Sequence, residues 1–209
     1  MLIAPEQGLA FLAAAMLITV SPGPDNLMVL SMGMARGRRQ GMAFGLGCAL
    51  GCLSHTLLAA LGVGALIAAS PLAFTALKVA GGLYLVWMGI GALRSKGGAQ
   101  VGRAALPDES LARLFGKGLL ANAINPKVIL FFLSFLPQFV MAGRGDASWQ
   151  TAQLGLLFTL QGCVLFGALG YFSGTVGKWI NRNPRAGLWL DRGAGAVFVA
   201  LGLRLIVAR

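Results

Sequence analysis

Four side chains stand out because their chemistry conflicts with their surroundings: Asp25, His55, Lys78 and Lys127 all fall inside long apolar runs. An ionisable group at bilayer depth is costly unless paired or solvated, so each is a candidate for binding or proton transfer. Asp25 and Lys127 also follow helix breakers. These are Ser21-Pro22-Gly23-Pro24-Asp25-Asn26 in the first apolar run and Asn125-Pro126-Lys127 in the fourth. Lipid offers no partner to a freed backbone N–H or C=O, so broken helix at this depth survives only where it is buried in protein or lines a cavity. A carboxylate and an ammonium beside freed carbonyls and half-helix N-termini could hold the two ends of an amino-acid zwitterion. The plainer reading is that Asp25 caps its half-helix and Lys127 snorkels. Snorkelling is also the simpler account of Lys78, and Tyr84 two turns deeper is either packing or a cavity hydroxyl.

Cys48, Cys52 and His55 recur at i, i+4 and i+7, on one face of a helix. With Cys163 they would offer a soft metal four ligands. Free cysteine in apolar surroundings also behaves as a small hydrophobe, so no metal site is assigned, and a soft-metal cation exporter is the alternative function. Catalysis is not expected. HExxH, GxSxG and GxxxxGK are absent, and no second acid lies deep enough to make an aspartyl dyad with Asp25. No cofactor is implied.

The elements that must position these residues are membrane helices. Of 209 residues 57% are hydrophobic and 11% charged, with a mean hydropathy of +0.78, against about 25% charge in a soluble domain. Six runs reach the ~20 residues of a span: Gly8 to Ala35, Gly41 to Ala69, Leu72 to Leu93, Phe115 to Val140, Ala152 to Val176 and Leu188 to Val207. The first and fourth carry the proline breaks. The first twenty residues hold Glu6 and no Lys or Arg, which predicts a retained helix rather than a cleaved signal peptide.

The polar link is longest between Arg94 and Lys117. It divides the chain into a three-helix repeat over 1–93, a cytoplasmic linker over 94–113 and a second three-helix repeat over 114–209. The halves share breaks at Pro22 and Pro126, and the pattern Ala80-Gly81-Gly82 with Gly89 parallels Gly193-Ala194-Gly195 with Gly202. An odd number of helices per repeat inverts the second half, and paired interrupted segments in inverted repeats point to a transporter's binding site.

The net charge of +11 does not indicate nucleic acid, because the cations sit in short links. Arg36, Arg38, Arg39, then Arg94, Lys96, Arg103, Arg113, Lys117, then Lys178, Arg182 and Arg185 follow helices one, three and five, whereas the intervening links hold only Arg144. With positive links cytoplasmic, both termini face outward. Glycines at Gly41, Gly45, Gly47 and Gly51 form stripes that allow close helix packing or a homodimer.

The chain resembles the lysine exporter (LysE/RhtB) family over nearly its whole length. The resemblance is carried by Ser21-Pro22-Gly23-Pro24-Asp25-Asn26, Gly45-Leu46-Gly47 through Gly51 and His55, Lys78 with Gly81 and Tyr84, Asn125-Pro126-Lys127 with Phe131-Phe132 and Pro137-Gln138-Phe139, and Asp191-Arg192 with Gly195, Gly202 and Arg204. It implies export of amino acids or their derivatives across the bacterial cytoplasmic membrane, through six helices, driven by protons or the membrane potential. The paired breaks themselves are expected to form the substrate site, from Ser21, Pro22, Gly23, Pro24, Asp25, Asn26, His55, Asn125, Pro126 and Lys127. Relatives often carry an acid after the second-helix glycine, where this chain has Gly51-Cys52, and many have Asn at position 25. If that acid carries the proton elsewhere, Asp25 is its substitute here.

Overall fold

Proline marks where this chain starts its helices. Five of its eight prolines, Pro5, Pro24, Pro71, Pro126 and Pro184, stand at the first position of a helix, where the missing N–H costs nothing. The computed structural model describes residues 3–21, 23–95, 109–141 and 143–207. Pro22 and most of the expected linker, residues 96–108, lie outside them. The described residues are all-helical: α1 (Pro5–Val20), α2 (Pro24–Arg36), α3 (Arg38–Ala69), α4 (Pro71–Leu93), α5 (Leu111–Ala123), α6 (Pro126–Leu130), α7 (Ala147–Tyr171), α8 (Ser173–Arg182) and α9 (Pro184–Val207).

The first and fourth apolar runs are broken. Helices α1 and α2 meet at 57°, and α5 meets the segment that opens with α6 at 50°. After one turn α6 widens into a π-helical stretch, Phe131–Phe135, and tightens into a 3-10 turn, Leu136–Phe139. Pro137 removes the N–H that a regular helix would use there.

Among the described residues three helices are long and apolar enough to cross a membrane, or five spans if each bent pair counts as one. The sequence led to six. Helix α9, the expected sixth, carries Asp191, Arg192 and Arg204 and is not among the five. The fifth run also ends earlier than expected, at Tyr171, and continues as the separate helix α8. Large apolar side chains face outward on several helices, among them Leu58, Leu61, Leu83, Trp87, Leu160 and Val164. Such a surface suits lipid rather than water.

Glycine sets the closest helix contacts. A Cβ on Gly82 would come 2.8 Å from the Gly202 carbonyl, and one on Gly202 would come 2.6 Å from that of Gly82. Gly89 and Gly195 stand in the same reciprocal relation, 2.7 Å each way. Helices α4 and α9 are therefore antiparallel and in near backbone contact. Along α3 and α7, Gly41 approaches Gly170, Gly45 approaches Phe166 and Thr56 approaches Gly155, again antiparallel.

Most of the described buried apolar residues fall in two clusters. One contains Phe11, Phe131, Phe132, Phe135, Phe158 and Phe198. The other gathers Val29, Met32, Phe44, Cys48, Leu114 and Phe166.

Candidate functional site

The two broken helices meet where the clusters adjoin. Helix α2 starts behind extended Gly23, whose backbone is the N-cap, and Asp25 sits in its first turn. The Asp25 carboxylate caps nothing there. It reaches the other break, where its Oδ2 accepts hydrogen bonds from Asn125 Nδ2 at 2.8 Å and Asn122 Nδ2 at 3.3 Å. Asn125 also caps α6, accepting from the Lys127 N–H at 3.0 Å, so one amide serves both breaks.

Lys127 is 6% exposed and does not snorkel. Its Nζ crosses to the first break and donates to the freed Ser21 carbonyl at 3.1 Å. The ammonium lies 5.4 Å from the centre of the Phe198 ring, within cation–π range. Gly23 leaves space for it, since a Cβ there would stand 3.3 Å from Nζ. A second freed carbonyl, that of Thr19, accepts from Asn26 Nδ2 at 2.9 Å. No direct ion pair joins Asp25 and Lys127; the described ion pairs involve Glu109 and Glu6. The two charges therefore stand separately in one cluster, each held by polar groups of the opposite break.

These groups surround a central cavity of about 20 Å³, lined by Thr19, Asp25, Asn26, Asn122, Asn125 and Lys127 with Cys52 and Phe158. That is room for about one water. A much larger vestibule of about 550 Å³ reaches the same Asp25 and Asn125 from the side of Glu109 and Lys117, between Pro24, Met28, Met32, Phe44 and Pro126. At its outer end Lys117 Nζ lies 2.7 Å from Glu109. That hydrogen bond holds the Glu109 carboxyl below its usual range.

On the other side a cavity of about 520 Å³ is lined by Glu6, Lys78, Phe135, Phe139 and Arg204 and does not touch the central residues. Phenylalanines fill the gap. Phe131 lies 5.0 Å from Phe158 and 5.3 Å from Phe135, and Phe135 lies 5.4 Å from Phe139, all between ring centres. Beside them Gln7 Nε2 donates to Gln150 at 2.9 Å and to the Phe139 carbonyl, tying α1 to α7.

His55 stands one layer back. Its Nε2 is 3.1 Å from the Asn122 carbonyl and its ring packs on Phe132 at 5.7 Å, but it does not line the central cavity. Asn122, which the sequence reading did not single out, is the hub. It is 1% exposed, and it meets Asp25, His55 and the Cys52 thiol, which donates to Asn122 Oδ1 at 3.3 Å. Thr19 and Gln161 were missed too. Gln161 donates to Thr19 Oγ1 at 2.9 Å, and its own Oε1 is buried without a partner. The available signal was an uncharged polar side chain inside an apolar run.

The soft-metal alternative finds no support. Among the described residues no three His, Cys, Asp or Glu side chains are arranged to hold a metal ion. Cys48 is packed with Val29, Met32 and Phe44, and the Cys52 thiol hydrogen-bonds to the Asn122 amide.

Comparison with known proteins gives the family. The sequence pattern of LysE type translocators matches residues 16–209. The chain belongs to the LysE family. It is 35% identical over 210 residues to the threonine efflux protein of Escherichia coli K12, covering 95% of this chain and 98% of that one. It is 30% identical over 204 residues to the homoserine/homoserine lactone efflux protein of Salmonella typhimurium, covering 98% of each. An uncharacterized membrane protein of Vibrio cholerae is 33% identical over 203 residues, 96% of this chain and 97% of that one. No solved structure matches the chain. As a LysE protein it is a membrane protein crossed by several apolar helices, and its named relatives are efflux proteins rather than enzymes.

Proposed function

We propose that this protein exports small amino acids or their derivatives from the bacterial cytoplasm across the inner membrane, with threonine and homoserine the first substrates to test. The observation that carries the reading is the mutual engagement of the two breaks, Asp25 by Asn122 and Asn125 and the Ser21 carbonyl by Lys127. Asp25 takes the substrate ammonium in exchange for its amide donors. Lys127 releases the Ser21 carbonyl to take the carboxylate. Small substrates suit the narrow centre, and the Met28, Met32 and Phe44 walls of the vestibule accept an apolar stem.

The chain spans the membrane six times as two inverted three-helix repeats, with both termini outside. Support comes from the reciprocal glycine contacts of α4 and α9. Gly82 and Gly89 correspond in sequence to Gly195 and Gly202, so the contact of Gly82 with Gly202 maps onto that of Gly195 with Gly89. This is what a pseudo-two-fold axis in the membrane plane requires. The vestibule beside Lys117 then faces the cytoplasm, and the phenylalanines close the outer side. Rocking one repeat against the other opens that layer. Protons or the membrane potential drive the cycle, with Asp25 the carboxylate placed to exchange a proton.

The test is to load cells with threonine- and homoserine-containing dipeptides and measure efflux of the freed amino acids with and without the protein. Faster efflux of either is the expected result. Unchanged efflux across a panel of dipeptides would remove the amino-acid reading.

A further inference from the structure

Another cavity, of about 600 Å³ and bordered by cations, lies away from the transport path, where the corner between α2 and α3 meets α8. Its lining includes Arg38, Lys178 and Arg182, with Tyr171, Thr175 and Trp179. No described Asp or Glu contributes to it, and none of the three cations is in an ion pair among the described residues. Three uncompensated positive charges around one open cavity are costly unless an anion or water screens them.

The geometry holds at least one of them in place. Arg38 donates to the Tyr171 hydroxyl at 3.1 Å and lies 5.0 Å over the Tyr171 ring. This fixes the guanidinium plane and leaves other N–H donors free. Lys178 and Arg182 are one turn apart on α8 and both are exposed. The helix is anchored by its other face, where Ser173 and Gly177 are buried. A Cβ on Gly33 would collide with Ser173 Oγ, and one on Gly177 with Met34, so α8 lies hard against α2 and cannot turn its cations away.

The surroundings identify the medium. Tyr171, Phe172 and Trp179 are 46%, 54% and 52% exposed, an aromatic cluster at the end of a membrane helix. Aromatic side chains concentrate at headgroup level, and basic pockets between membrane helices recognise anionic headgroups.

We propose that this cavity binds the phosphodiester headgroup of an anionic phospholipid such as phosphatidylglycerol. Arg38 and Arg182 contact the phosphate, Lys178 contributes charge, and Trp179 and Phe172 lie along the acyl chains. A zwitterionic lipid is disfavoured because its choline or ethanolamine cation would meet the same three charges. Because the pocket joins α2, which follows the first break, to α8, the lipid clamps two elements that the first and second halves of the chain contribute.

The test uses the full-length protein, delipidated in detergent. Phosphatidylglycerol, phosphatidylcholine or inorganic phosphate is then added, the lipid retained is counted by native mass spectrometry, and the melting temperature is followed. The expected result is at least fivefold preference for phosphatidylglycerol over phosphatidylcholine, with a rise in melting temperature that phosphate does not reproduce. The triple variant Arg38→Gln, Lys178→Gln, Arg182→Gln should lose both. A charge-matched variant, Arg39→Gln, Arg94→Gln, Arg192→Gln, should keep them.

Equal retention by the two triple variants, or no preference in the parent, overturns the proposal. An equal effect of phosphate makes this a free-anion site and overturns the lipid assignment. If the first triple variant fails to fold, Lys178→Gln and Arg182→Gln separately, both on the exposed face of α8, should each cut the preference at least twofold; unchanged preference in both overturns it.

Discussion

Asp25 is held by two amides from the opposite break, and Lys127 by a carbonyl of the first. A charged hydrogen bond of this kind is worth about 1.5 to 3 kcal/mol, or roughly tenfold to a hundredfold in affinity. Lys127→Met and Asp25→Asn should each lower initial efflux by that range while the protein still reaches the membrane. Asn122→Ala removes one of the two donors to Asp25 and should weaken efflux in the same direction. Parental rates in all three, normalised to membrane protein, would mean the central cluster is structural. The cysteines sit differently. Cys48, Cys52 and Cys163 pack among apolar side chains or against Asn122, so their joint replacement by Ala should leave export largely intact.

At the scale of elements, the contact between α4 and α9 depends on hydrogen where other residues carry a methyl. Gly89 and Gly91 make a paired test two positions apart. A Cβ at Gly89 would stand 2.7 Å from the Gly195 carbonyl, whereas one at Gly91 meets nothing within 4 Å. Gly89→Ala should therefore part the helices and cost about 1 to 3 kcal/mol. Gly91→Ala should be neutral or stabilising by up to about 1 kcal/mol, since Ala is the better helix former. Melting temperature in one detergent separates them; equal effects would show that α4 and α9 do not rely on that approach. The breaks are elements of another kind. Pro24 and Pro126 each start a half-helix, and side chains that follow them, Asn26 and Lys127, satisfy the Thr19 and Ser21 carbonyls that the first break leaves free.

Among the described residues the whole molecule is open on one side of its centre and closed on the other. The vestibule beside Lys117 reaches Asp25, while the cavity beside Arg204 stops at Phe135 and Phe139. Phe135→Leu should thin the closed layer without emptying it. In a Cys48→Ala, Cys163→Ala background, Cys52 should then react faster with an impermeant thiol reagent added outside intact cells. An unchanged rate would place the barrier elsewhere. Orientation has its own measurement. Single cysteines in the Arg36 to Gln40 link should resist that reagent in intact cells and react once the membrane is permeabilised. Labelling in intact cells would reverse the topology.

Composition and the two Pro motifs were enough to establish a helical membrane protein with interruptions in its first and fourth apolar runs. Those properties are local: a proline lacks its N–H wherever it stands, and an apolar run avoids water whatever it later packs against. Asp25 and Lys127 were legible for the same reason, as charges out of place in their own neighbourhoods. The tertiary structure decided the rest. It bonded Asp25 to amides 97 and 100 positions away and Lys127 to a carbonyl 106 positions away. It made Asn122 a hub, set His55 behind it, and separated α8 from the run that precedes it. Uncharged amides and histidines gain roles from partners brought close only by folding, and no spacing along the chain encodes which carbonyl or carboxylate will face them.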